Sequence, residues 1–313
     1  SSMTQDLKNR IGIFDEISAD IGRTKSFTRP SSLICSSKIS DEDWRHLQNS
    51  ANLYMNKCLP NNSFITDENE LLETFAQNKD SIKNITPNGL IVPKRHTVLE
   101  YNLLVNAVAR IINSAGIGDW ITSWHIPLNL RIKHNEINEE NMKRHHPTEH
   151  IHSDSWAGES ADSVTVMIPI FGDTDHNRVT YYDPPDNFED SWLGPLPSYA
   201  DGAEIASRYE KLDFVPKKQH LILADFSTLH ASHRDAGAGH RVSIDTTFVP
   251  VRKYKGGDGE TIHPWRENER ATHKVLSSLG ETHLFHFPDS VDQQVDSQGG
   301  FKHPTNLVVK ELE

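Results

Sequence analysis

The chain has 313 residues, 35% of them hydrophobic and 24% charged, with a net charge of −12. It can bury a sizeable core in one large domain or two modest ones. No apolar run is long enough for a membrane helix, and no basic stripe offers a nucleic-acid surface.

The two cysteines, Cys35 and Cys58, cannot make a disulfide framework, which points to a reducing, cytoplasmic setting. Ser1-Ser2 ahead of Met3 reads as a cloning remnant with no signal-peptide core behind it, although a targeting segment already removed would leave no trace.

Residues 1–40 have mixed polarity and read as arms or short elements. Ser40 and Asp43 resemble a capping box, and Trp44, Leu47, Ala51, Tyr54 and Cys58 follow at helical spacing, so a helix is expected over 41–58. A short helix is expected around Glu70 to Phe75. Thr97 and Glu100 form a second capping box before an apolar face of Leu103, Leu104, Ala107, Val108, Ile111 and Ile112, with Gly116 placed as the C-terminal cap.

From Trp120 the period changes to two. Ile126, Leu128, Leu130 and Ile132 alternate with Pro127, Asn129, Arg131 and Lys133, as in a half-buried strand. Further strands are expected at Val164–Phe171, Val179–Tyr182, Gln219–Phe226 and Val242–Val249. The long loop over 183–202 has the length of a lid. A helix is expected near Glu269–Leu279, within a polar extension over 251–313. Helices followed by short strands indicate an α+β chain with a β-barrel or jelly-roll core.

The chemistry concentrates in Thr148-Glu-His-Ile-His-Ser-Asp-Ser-Trp156. In an extended segment His152 and Asp154 leave one face, and imidazole with carboxylate suits a first-row divalent metal. The third ligand is expected at the end of the buried run Leu221-Ile-Leu-Ala-Asp-Phe226, where His230 precedes the alternative, His233. Asp225 is placed to steady His230 or to serve the turn. Arg241 and Ser243, two apart on an alternating strand, could grip a carboxylate through a guanidinium fork.

His-x-Asp, a distant His within Leu229-His-Ala-Ser232, then Arg241 with Ser243 at +2 resembles the Fe(II)/2-oxoglutarate-dependent dioxygenase superfamily across about 120–250. The resemblance implies a double-stranded β-helix (jelly-roll) core with flanking N-terminal helices, all in one domain over 1–313. The helical support would occupy about 40–118, the β-helix core about 120–250 and the polar extension 251–313. It implies Fe(II) on His152, Asp154 and His230, with 2-oxoglutarate held by Arg241 and Ser243 and contacted near Asn129 and Arg131.

The implied partners are dioxygen and a small-molecule substrate, in a cavity where His150, Trp156 and Arg95 could take part. Inward-facing Lys94, Arg95 and His96 would favour a carboxylate-bearing substrate such as an amino-acid derivative. Family members that halogenate lack the carboxylate ligand, so Asp154 points to hydroxylation, desaturation or ring closure. Two competing readings are a cupin-type metal enzyme on His150 and His152, which lacks a well-placed glutamate because Glu159 comes too late, and a non-catalytic ligand-binding barrel.

Overall fold

A computed structural model describes residues 2–60, 63–82, 85–125, 128–159 and 161–250, and three short strands beyond them. Four helices come first: α1 (Gln5–Gly22), α2 (Asp41–Cys58), α3 (Glu68–Gln77) and α4 (Val98–Ser114). Between the first two lie β1 (Phe27–Ser31) and β2 (Ile34–Lys38). After α4 come β3 (Ile121–His125), β4 (Asn129–Lys133), β5 (Val164–Gly172), β6 (Asn177–Asp183), β7 (Glu210–Lys211), β8 (His220–Asp225), β9 (Leu229–Arg234) and β10 (Arg241–Pro250).

Local chemistry explains most boundaries. Ser40 caps α2 by accepting from the Asp43 N–H, as the sequence predicts. The expected short helix is extended to α3, because Asp67 caps it at Glu70 N–H. Gly116 follows α4 with φ +81°, a conformation that favours glycine.

Two expectations at α4 are corrected. The Thr97 hydroxyl bonds Lys94 in a preceding 3-10 turn, Arg95–Thr97, and does not cap α4. Leu103 is exposed, outside the buried stripe of Leu104, Ala107, Val108, Ile111 and Ile112.

The larger correction is α1, an 18-residue helix where the sequence suggested arms or short elements. Thr4 caps it at the Leu7 N–H, and Leu7, Ile13, Phe14, Ile17 and Ile21 are buried. Arg10, also fully buried, interrupts the apolar stripe and hides the period. Its guanidinium meets Asp190 at 2.9 Å and Asp225 at 3.0 Å, and bonds the Ala161 carbonyl.

The larger sheet is antiparallel and runs β1-β2-β8-β5-β10-β3, with β4 also paired to β10 and a two-residue strand, Lys274–Val275, beyond β3. That strand falls inside the helix expected near 269–279, whose other residues lie outside those described. Expected strand residues Ile126 and Pro127 also lie outside them. A smaller antiparallel sheet runs β7-β6-β9.

Alternation assigns the two faces of the large sheet. Val164, Val166, Ile168, Leu221, Leu223, Val242 and Ile244 pack on the helices. Met167, Ile222 and Ala224 face Tyr181 and Val179 of the small sheet, joined by Phe214. The polar row of β10 shares this second face, between the two sheets. No helix among the described residues is long and apolar enough to cross a membrane.

Candidate metal centre

His152 pairs antiparallel with His230 of β9, on the edge that β6 leaves free, and residues 148–150 before it form a turn. His152 N–H donates to the His230 carbonyl at 3.0 Å, and His230 N–H returns a bond to the His152 carbonyl at 2.9 Å. A mutually bonded pair places both side chains on one face of the ladder. The two imidazole centroids are 4.4 Å apart.

Asp154 does not continue this strand. The Ser153 hydroxyl accepts from Ser155 N–H and starts a 3-10 turn, Asp154–Ala157. The turn brings Asp154 Oδ1 to 3.3 Å from His152 Nε2 and 3.5 Å from His230 Nε2. The shared strand face expected from the spacing is therefore replaced by a strand and a turn. All three ligand atoms lie within 4.8 Å of one another.

The protonation pattern suits a cation. His152 Nδ1 lies 2.6 Å from the His150 carbonyl. That bond requires the proton on Nδ1, so Nε2 presents its lone pair to the site. Nε2 is buried and has no hydrogen-bond partner among the described residues. Burial, with His230 beside it, pushes the His152 imidazolium down to about 4, so the ring is neutral at pH 7. Burial opposes ionisation of Asp154, but the two neighbouring histidines, His230 foremost, hold its carboxyl well below the usual range. Two imidazole nitrogens and one carboxylate can hold a divalent first-row ion and leave positions for other ligands.

A cation faces the same interior. Arg241, on β10, is 1% exposed. Its Nε donates to Asn177 Oδ1 at 3.2 Å and its Nη1 to Ser243 Oγ at 2.6 Å, while Nη2 has no partner among the described residues. Burial pushes this guanidinium down to about 10, and it stays charged at pH 7. An orphaned, buried guanidinium nitrogen fits a carboxylate ligand.

The strand register explains the neighbours. Arg241, Ser243 and Asp245 lie opposite Lys133, Arg131 and Asn129 of β4, so all six share the inner face. Asn129 and Arg131, expected near the co-substrate, both donate to Asp245, and Arg131 also bonds the Asn88 carbonyl. Lys133 contacts Glu149 at 3.2 Å, which Arg234 meets at 3.3 Å. Burial favours the neutral acid, but Lys133 and Arg234 overcome it and hold the Glu149 carboxyl down to about 2.

The remaining expected residues divide. His233 is turned away to Asp235 at 2.8 Å. Trp156 is fully buried, and its indole donates to the Trp192 carbonyl and lies against Gly202, so it has no surface for a substrate. His150 contributes its carbonyl to His152. The Arg95 side chain lies outside those described. Asp225 bonds Arg10 and the Ser227 N–H, serving the turn before His230 without touching its ring.

Three contributors were missed. Asn177 holds Arg241 while donating to the carbonyls of Lys133 and Gly239. Lys133 continues the Asn129–Arg131 alternation and could have been read from it. Tyr199 stacks on His152 from the 183–202 loop, and no sequence signal ties it there.

No family model matches this chain, and no curated protein matches it. Among solved structures it is similar to the non-heme alpha-ketoglutarate-dependent epimerase SnoN from nogalamycin biosynthesis, at 9% identity and TM-score 0.39, covering 77% of this chain and 84% of that one. It is similar to EctD from S. alaskensis with 2-oxoglutarate and 5-hydroxyectoine, at 16% identity and TM-score 0.39, covering 85% and 86%. An N-substituted L-amino acid dioxygenase from Burkholderia ambifaria AMMD, in complex with alpha-ketoglutarate, is similar at 12% identity and TM-score 0.36, covering 78% and 89%. Likenesses this distant transfer no role to any residue.

Proposed function

We propose that the chain is an Fe(II)- and 2-oxoglutarate-dependent oxygenase that oxidises a C–H bond of a small molecule, built as one domain on a double-stranded β-helix core. One observation carries this reading: three converging ligand atoms share an interior with a buried guanidinium whose Nη2 has no partner among the described residues. A structural metal site is closed and commonly rich in cysteine, whereas this cluster offers three ligands, none of them cysteine, among the described residues. Cys35 and Cys58 lie on β2 and at the end of α2.

His152, Asp154 and His230 would hold the metal, and Arg241 with Ser243 the distal carboxylate of 2-oxoglutarate. The chemistry supplied when both are bound is oxidative decarboxylation of 2-oxoglutarate with dioxygen, giving succinate, carbon dioxide and the oxidised substrate.

The chain's own work is orientation. The His150 carbonyl fixes the His152 tautomer, and Ser153 turns Asp154 onto the imidazoles. Asn177 and Ser243 aim Arg241. Met167, Ile222, Ala224 and Tyr181 form an apolar wall that excludes water from the same interior. Asp245 is paired with Arg131 and accepts a hydrogen bond from Asn129.

The test is anaerobic. Fe(II) and then 2-oxoglutarate are added to the protein, and a visible metal-to-ligand charge-transfer band is expected. Folded protein that gives no band at saturating co-substrate overturns the proposal.

A further inference from the structure

We infer that Tyr199 is a positioning residue for the metal centre: its ring, carried by the 183–202 loop, sets the plane of the His152 imidazole. The inference rests on His152 being a metal ligand, as proposed above. The two rings are nearly parallel, with centroids 4.1 Å apart and planes 13° from one another.

The physical need is specific. A single hydrogen bond from Nδ1 to the His150 carbonyl fixes the tautomer but lets the ring rock about that contact. Rocking would swing Nε2 off the point where Asp154 and His230 converge. A flat aromatic surface against the imidazole face removes that freedom.

Tyr199 is itself held. It is 5% exposed and packs with Trp156 and Leu229. Its N–H donates to the His145 carbonyl at 2.8 Å, and its ring meets His146 edge-on at 4.7 Å. The surrounding loop is fastened to the same ligand-bearing segment. Leu196 N–H donates to the Trp156 carbonyl, the His146 ring contacts the Leu196 carbonyl, and Trp156 donates to the Trp192 carbonyl. Gly202 closes the clasp, because a Cβ there would come within 2.2 Å of the Trp156 indole. The loop expected to act as a lid thus forms part of the wall that aligns the ligand, and its docking is transmitted to the metal by one stacked ring.

Three variants and wild type are titrated anaerobically with Co(II), reading both the dissociation constant and the d–d absorption bands. Tyr199→Phe keeps the ring and is expected to bind within about twofold of wild type with the same bands. Tyr199→Leu and Tyr199→Met remove the flat surface and are expected to bind about tenfold more weakly, the lower end of the loss when a group orienting a metal-bound imidazole is removed. Their bands should also shift, a change that a general loss of stability would not produce. Circular dichroism checks folding, and if the Leu variant does not fold, the Met variant decides.

Wild-type affinity and bands in the ring-less variants overturn the inference, as does an equal loss in the Phe variant. A His152→Ala control separates the premises. If it binds Co(II) as wild type does, the metal-site reading itself fails. If it alone loses binding, only the role of Tyr199 falls.

Discussion

Replacing Arg241 with leucine separates the carboxylate grip from everything else at the site. The guanidinium is 1% exposed, spends Nε on Asn177 and Nη1 on Ser243, and leaves Nη2 to a ligand. A hydrogen bond from Nη2 to an ionised carboxylate is worth about 1.5–3 kcal/mol. Losing it weakens 2-oxoglutarate binding by about ten- to a hundredfold in dissociation constant. The substitution also strips Asn177 Oδ1 of its donor, a cost of about 1–3 kcal/mol that thermal unfolding will register separately. The assay is an anaerobic titration of the Fe(II)-loaded variant with 2-oxoglutarate, followed in the visible band, with Co(II) affinity measured in parallel. Metal binding should stay close to wild type, because Arg241 is no ligand. A folded variant that binds 2-oxoglutarate within about threefold of wild type refutes the reasoning.

Glu149 gives a pH prediction. Lys133 and Arg234 hold its carboxyl down to about 2 in the folded protein, which corresponds to roughly 3 kcal/mol of stability at neutral pH. A depressed carboxylate contributes stability above the unfolded value that is lost as pH falls through the folded one, so urea unfolding should weaken between about pH 4.5 and 2. Glu149→Gln should lower stability at pH 7 and flatten this acid limb; an acid limb as steep as wild type contradicts the assignment. For the third ligand, His230→Ala should abolish Co(II) binding while His233→Ala spares it, because His233 is engaged with Asp235. The reverse pattern in an equilibrium titration would reassign the ligand.

The sequence was most legible where one force dominates. Ser40 marks the start of α2 because a short polar side chain meets an orphan N–H three residues on. Strands β5, β8 and β10 announced themselves through burial on both faces or clean alternation. The candidate ligand set stood out because His, Asp and Arg residues fall within or beside strands. What stayed hidden depends on partners distant in the chain. Arg10 disguised α1, since a buried charge makes sense only once Asp190 and Asp225 are beside it. The turn delivering Asp154 depends on Ser153, whose hydroxyl also reaches the Phe226 carbonyl. Tyr199 lies in a loop without periodicity, and only the assembled structure brings it onto His152.

The buried Arg10 ion cluster also bears on how the protein is made. During synthesis α1 emerges before the strands, and its guanidinium must wait for carboxylates 180 and 215 residues further along. Until both arrive, a dry helix face would enclose an uncompensated charge at a cost of several kcal/mol. The helix is therefore expected to stay hydrated and undocked while the strands assemble, and to lock late. Contacts of such separation slow folding. They also act in reverse: peeling the first helix away would strand two acidic groups, one of them in the turn leading to His230. Undocking of α1 is thereby tied to loss of the proposed metal centre, so the chain should open there as one cooperative unit.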